Sequence, residues 1–126
     1  MSIAAEMRQH LTKDIIPFWQ KLRDEVYGGF YGYMGAELAV DEKAVKGCIL
    51  NSRILWFFSN AVLTLKDKTL LSDAAHAYRF MKEHCLDKEY GGVFWSVSYD
   101  GEPEDVTKHI YNQAFAIYAL SAYYAA

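Results

Sequence analysis

Few residues of this sequence combine a type and a setting that could do chemistry: one arginine in an apolar run, four histidines and one short acidic cluster. Arg53 lies within Lys46-Gly47-Cys48-Ile49-Leu50-Asn51-Ser52-Arg53-Ile54-Leu55-Trp56-Phe57-Phe58. At helical spacing Leu50, Ile54, Phe57, Phe58, Ala61 and Leu65 share one face, and Asn51, Leu55, Phe58 and Val62 the next. A helix apolar nearly all round is a buried helix. A guanidinium there loses its water, a penalty of several kcal/mol unless something pairs with it. Arg53 is therefore expected either to meet a carboxylate on another helix or to face a ligand from the stripe Ile49, Ser52, Arg53, Trp56 and Asn60. His10, His76, His84 and His109 stand apart from one another and are assigned surface or capping roles. Glu102, Glu104 and Asp105 raise the possibility of a carboxylate-pair hydrolase, but clustering beside Pro103 reads as a solvated loop.

The 126 residues amount to one domain at most, with a net charge of -3 and 16% aromatic residues. Mixed charges give no basic stripe for nucleic acid and no polybasic membrane patch. Neutral small molecules or proteins are the expected partners. Cys48 and Cys85 fall within predicted helices without metal-like spacing, as reduced core cysteines of a cytoplasmic protein would. The N-terminus lacks a signal-peptide pattern, and Ala114 to Ala126 is too short to span a bilayer.

Four helices are expected to position these groups. The first runs from a Ser2 cap to about Asp24 with Ile3, Met7, Leu11, Ile15, Phe18 and Leu22 on one face, and Pro17 predicts a kink or break near Ile16. The second is the Arg53 helix, entered from Asp41-Glu42-Lys43 and ended by Lys66-Asp67-Lys68. The third runs from Thr69 to about Leu86, with Leu71, Ala74, Ala75, Tyr78, Met81 and Cys85 inward and Asp73, Arg79, Lys82 and Glu83 outward. A hairpin over Val93 to Ser98, closed at Tyr99-Asp100-Gly101, precedes the fourth, Thr107 to about Tyr124, apolar nearly all round.

The chain also repeats itself. Asp87-Lys88-Glu89-Tyr90-Gly91-Gly92-Val93-Phe94-Trp95 echoes Asp24-Glu25-Val26-Tyr27-Gly28-Gly29-Phe30-Tyr31-Gly32, with Tyr90 lying 63 positions after Tyr27. The order is outer helix, aromatic Gly-Gly bend, inner helix, in repeats of about 1–66 and 67–126. One-sided outer helices and all-round inner helices predict an α/α toroid. Two such units leave their ends open, so the sequence reads as a piece of something longer or as a unit that associates. Phe30-Tyr31 and Phe94-Trp95 are either plugs between the layers or sugar-stacking surfaces.

Tyr27-Gly28-Gly29-Phe30-Tyr31-Gly32, Lys46 to Phe58 with Asn51-Ser52-Arg53, Tyr90 to Trp95, and Thr107-Lys108-His109-Ile110-Tyr111-Asn112-Gln113-Ala114-Phe115-Ala116 occur in an order and spacing that closely resembles the start of cellobiose 2-epimerases, in the N-acylglucosamine 2-epimerase superfamily. The resemblance covers essentially the whole chain. It implies an all-α architecture, here an incomplete (α/α)6 toroid of two outer/inner helix pairs with short aromatic β-hairpins. It also implies interconversion of glucose and mannose at the reducing end of β-1,4-linked disaccharides such as cellobiose or lactose. The implied chemistry is ring opening, removal of the C2 proton by histidine, an enediolate and reprotonation on the opposite face, without metal or cofactor. Arg53 matches the family's active-site arginine, placed to stabilise the enediolate, and preorganised donors of that sort are typically worth ~3 kcal/mol each. Tyr111 matches a substrate-contacting tyrosine; Asn112, Trp56 and His109 are further substrate-binding candidates. The family's two proton-transferring histidines have no counterpart here, so the chain alone is expected to be inactive. The alternatives are a non-catalytic helical-repeat or assembly module, self-associating through exposed apolar helix faces, and an α/α-toroid hydrolase.

Overall fold

In the computed structural model, which describes residues 1–126, helices account for most of the ordered backbone and two small antiparallel sheets for the rest. The helices are α1 (Ile3–His10), α2 (Ile16–Gln20), α3 (Cys48–Leu65), α4 (Leu71–Phe80) and α5 (Ile110–Ala125). The strands are β1 (Tyr33–Met34), β2 (Val40–Asp41), β3 (Lys46–Gly47), β4 (Ser96–Val97) and β5 (Pro103–Asp105).

Ser2 caps α1 through the Ala5 N–H, as its position predicts. Pro17 does not break the first helix. A π-helical turn at Leu11–Ile15, closed by Ile16 N–H on Leu11 O, joins α1 to α2. Widening the turn ahead of Pro17 accommodates its missing N–H and its ring. The helix ends at Gln20, short of Asp24, and its expected inner face is only partly covered: Leu22 is buried, Leu11 and Ile15 are half-buried, and Ile3, Met7 and Phe18 are exposed.

Helix α3 packs against both α4 and α5 and carries the core, with Phe58, Leu55 and Ile54 meeting Phe30, Ala74, Ala77 and Phe80. It ends at Lys66, which turns left-handed. Its N-terminus has no side-chain cap; Cys48 N–H donates instead to Trp95 O at 3.0 Å, which fastens the first inner helix to the second bend. The sheet β3–β4–β5 does the same from the other side, with β4 central and all pairs antiparallel.

Several expectations need correction. Lys46 lies on β3 and α3 begins after it. Pro103, Glu104 and Asp105 form the edge strand β5, where a proline without an N–H is tolerated, and the last helix starts at Ile110 rather than Thr107. That helix is apolar all round but not buried all round: Ile117 and Tyr124 are exposed. Asp73, expected outward, is buried and ion-paired to Arg23 at 2.9 Å. His76 is likewise buried between the Gly29 carbonyl, 2.7 Å from Nε2, and Arg23, 3.3 Å from Nδ1. Because a carbonyl only accepts, Nε2 carries the proton and Nδ1 accepts from the guanidinium. Phe30 is a plug, with no exposed surface, stacked on Phe58.

The repeat is visible in the backbone. Asp24 accepts the N–H groups of Val26 and Tyr27, and Asp87 those of Glu89 and Tyr90, two Asx-type turns of one geometry. Each aspartate N–H then donates to the second glycine of its pair, Gly29 or Gly92, at 2.9 Å. Both pairs have positive φ.

Candidate functional site

Helices α3 and α5 lie side by side and present equivalent positions to one cavity. Arg53 and Phe115 are each the sixth residue of their helix, and Trp56 and Tyr118 each the ninth. The guanidinium of Arg53 lies 5.8 Å from the centre of the Phe115 ring, and the Trp56 and Tyr118 rings stack at 5.4 Å. Leu50, Ile54, Phe57 and Trp19 complete a cavity of about 460 Å³. Repetition of the outer helix, bend and inner helix thus doubles one wall.

Arg53 is exposed, which corrects the expectation of a buried charge that must be neutralised. It takes part in none of the chain's ion pairs. The reason is geometric: α4 and α5 cover two flanks of α3 and leave the Arg53 flank to the cavity. Of the polar stripe expected there, Arg53 and Trp56 line the cavity. Ser52 is buried and donates to Cys48 O, and Asn60 donates to Trp56 O.

Tyr111 stands one turn before Phe115 on the same face of α5, exposed, with the two rings 5.0 Å apart. It stands beside the cavity, in contact with the lining residue Phe115 but not itself part of the lining. His109 precedes α5, exposed, with its ring 4.7 Å from that of Trp95. Asn112 departs from its expected place: it is buried completely, and its amide donates to Phe94 O at 2.7 Å. A side chain so enclosed holds the second bend in place. Its Oδ1 has no partner.

The remaining titratable groups lie away from this wall. His10 is bonded to Asp14 on the surface, and His84 to Gly101 O under the hairpin. Burial pushes the His76 imidazole below its ordinary value, against the opposing pull of the Gly29 carbonyl. Glu102, Glu104 and Asp105 are all exposed on or beside β5. A hydrogen bond from Thr107 holds Asp105 below the usual carboxylate range. Cys48 and Cys85 are free, buried thiols, and Cys85 is pushed up by its hydrogen bond to Cys48 and by burial. No group of three metal-ligating side chains occurs. Phe115 and Tyr118 were missed in reading the sequence; the signal that finds them is the alignment of α5 on α3 by helix position.

A family model described as N-acylglucosamine 2-epimerase (GlcNAc 2-epimerase) matches residues 12–126. A cellobiose 2-epimerase of Eubacterium cellulosolvens is 60% identical over 118 residues, which are 94% of this chain and 29% of that protein. A second, of Ruminococcus albus, is 60% identical over 122 residues, 97% of this chain and 31% of that protein. The crystal structure of a sugar epimerase from a ruminal bacterium superposes with a TM-score of 0.97 at 58% identity, covering 99% of this chain and 32% of that one. The chain thus spans about a third of the length of the relatives it matches. With the family model spanning nearly all of it, from within the first helix through α5, the chain belongs to the N-acylglucosamine 2-epimerase family.

Proposed function

We propose that this chain supplies two outer/inner helix pairs of an (α/α)6 toroid and, with them, part of the sugar-binding wall of a 2-epimerase acting on β-1,4-linked disaccharides of the cellobiose and lactose class. The observation that carries this is the unpaired Arg53 guanidinium over the Phe115 ring, at a cavity walled by the Trp56–Tyr118 stack. Aromatic faces suit the C–H faces of a pyranose, and a fixed cation in an apolar setting suits an oxygen that gains charge as an enediolate forms. In this reading Arg53 stabilises that oxygen, Trp56 and Tyr111 contact the sugar, and His109 meets it from the entrance of α5. Asn112 acts indirectly, by fixing the Phe94-Trp95 bend. No metal or cofactor enters the scheme.

The same reading makes the chain alone inactive. Proton removal at C2 needs a base titrating near neutral pH at the reacting carbon. None of the four histidines lines the cavity. Incubation with cellobiose is therefore expected to yield no mannose-containing product, while saturation-transfer NMR shows the sugar receiving magnetisation from the protein. That transfer should disappear in Trp56→Ala and weaken in Arg53→Ala. Transfer of equal strength in both variants would remove the cavity from the reading. Epimerisation by the chain alone, abolished by Arg53→Ala, would refute its inactivity.

An assembly module is the second reading, favoured by the exposure of Ile110, Ile117 and Tyr124 along α5. A stable oligomer in sedimentation whose melting is indifferent to sugar would select it. Release of free monosaccharide would instead select the hydrolase, for which the exposed carboxylates of β5 offer no enclosed pair.

A further inference from the structure

The rings of the two aromatic bends go to different places. In the first bend Phe30 has no exposed surface, and the position that aligns with Trp95 is Gly32, where a Cβ would run into Val45 O. No side chain fits there. In the second bend Val93 takes the buried place of Phe30, and Phe94 packs against the core with Lys108 Nζ 5.9 Å from its ring. Trp95 does not join that core. It is left half-buried, with the exposed His109 ring set edge-on 4.7 Å away.

The backbone of Trp95 is held from both sides. Its N–H donates to Asp105 O and its carbonyl accepts Cys48 N–H, each at 3.0 Å, while Asn112 fastens the neighbouring Phe94 O at 2.7 Å. Cys48 is the first residue of α3 and His109 immediately precedes α5, so Trp95 stands between the N-termini of the two helices that form the cavity wall. Arg53 and Phe115 are the sixth residues of those helices. At the helical rise they lie about 8–9 Å farther along the axes. That interval exceeds one pyranose ring and matches two joined by a 1,4 link. Tyr111, exposed, occupies the stretch between, its ring 5.0 Å from Phe115.

We propose that Trp95, with His109 beside it, is the platform for the second, non-reducing sugar of a β-1,4-linked disaccharide whose reducing end lies at Arg53. The inference rests on the sugar-binding reading above and adds to it the residue that registers substrate length. A β-1,4 link extends the two rings end to end and leaves the C–H faces of each free, and an indole fixed at one height takes such a face. His109 backs the indole with its ring and has an N–H to offer a sugar hydroxyl. Trp95 lies too far from Arg53 to meet the reacting carbon, so it sets which sugar binds and takes no part in proton transfer. Because glycine holds the equivalent place in the first bend, the platform stands over the α5 side of the wall alone.

Cellobiose and D-glucose, titrated separately into the chain with isotopically labelled indoles, test this. The Trp56 indole N–H signal is expected to move with both sugars, and the Trp95 signal with cellobiose alone. Trp95→Leu should weaken cellobiose binding about tenfold and leave glucose binding as in the parent. Trp95→Phe keeps a ring and should recover most of that loss. Unmoved Arg53 and Phe115 amides in sugar-free Trp95→Leu show an intact wall; if they move, the indole titration of the parent chain decides by itself. A Trp95 signal indifferent to cellobiose, or equally responsive to glucose, would overturn the platform while a responsive Trp56 keeps the sugar-binding reading. Equal loss of both sugars in Trp95→Leu with the wall intact would do the same. A Trp56 signal indifferent to both sugars would remove that reading, and the platform with it.

Discussion

The two Asp loops share a backbone and differ in surroundings. In the first, Lys46 Nζ lies 2.6 Å from Asp24 Oδ2, with side-chain exposures of 0% and 2%; in the second, Lys108 and Asp87 are 30% and 9% exposed. The turn itself is local, made by an aspartate that accepts the next N–H groups and two glycines at positive φ. Its energetics are tertiary. Burial tends to push the Asp24 carboxyl up, and the Lys46 hydrogen bond with the Tyr27 and Val26 N–H groups outweighs it and holds it below the usual carboxylate range. Asp87 is held low chiefly by Lys108 and by the Tyr90 N–H, which outweigh a smaller opposing push from burial. One motif thus serves as a sealed joint in one place and as an open one in the other.

If that contrast is right, the largest effect follows from removing the sealed lysine. Lys46→Ala leaves Asp24 Oδ2 and the Gly28 carbonyl without the lysine that donates to both, and breaking a buried pair from one side costs about 3–5 kcal/mol. Urea unfolding should place Lys108→Ala far closer to the parent chain. Equal losses would mean that α4 does not insulate the first loop. The glycines come next. Gly29→Ala combines a φ of +68° with a Cβ 2.7 Å from the packed Phe80 ring, whereas at the equivalent Gly92→Ala, φ +81°, the Cβ would meet only the flexible end of Gln113 at 2.9 Å. A left-handed residue costs about 1–3 kcal/mol and overpacking about as much again. Unfolding midpoints should therefore separate the two variants by about 2 kcal/mol.

A smaller effect tests the one feature that the open loop carries more tightly. Gln113 both accepts Val93 N–H at 2.6 Å and donates to Val93 O at 2.8 Å, whereas Asn51 accepts Phe30 N–H at 3.2 Å and turns its amide to Gly47 O. Gln113→Asn shortens the reach by one methylene and should cost about 1 kcal/mol. Amide exchange at Val93 should rise while Phe30 stays protected. Unchanged exchange at Val93 would show that the bend holds itself.

The repeated Tyr-Gly-Gly bends and four helical stretches were legible in the sequence because turn chemistry and the helical period act over a few residues. Long-range pairings were not. Lys46 reads as the start of a helix until Asp24, 22 positions earlier, is seen beneath it. Asp73 reads as solvent-facing by period, and its partners Gln20 and Arg23 lie at the end of α2 and in the turn just beyond it. The period marks an apolar face without saying whether a neighbour covers it, which is why Ile3 and Met7, on the apolar face of the first helix, do not reach the core. The cavity was half legible. Arg53 and Trp56 lie on it, but the argument that a buried charge must be paired fails at a residue that is exposed.

The last difference between the loops is a proton. His76 joins Gly29 to Arg23 and has Glu25 and Arg79 near enough to act on its charge, with Asp73 bound to the same guanidinium; the second loop has no imidazole on its glycine. Burial first, then the charges of Arg23 and Arg79, lower the His76 pKa from its ordinary 6.5, against the Gly29 carbonyl and Glu25. Between that ordinary value and the folded one the unfolded chain binds more protons, so stability is whole above about pH 6.5, declines as the pH falls through the gap and levels off below the folded pKa. Protonation would place an N–H at Nδ1 against the guanidinium 3.3 Å away. Melting temperature should therefore fall between pH 7.5 and 5 in the parent chain and stay flatter in His76→Gln, whose amide can still donate to Gly29 O. Amide shifts of Gly28 and Gly29 should follow the same pH range while those of Gly91 and Gly92 do not. If the variant's melting fell in parallel with the parent's, the pH response would belong to another group and the contrast would rest on Lys46 and Phe80 alone.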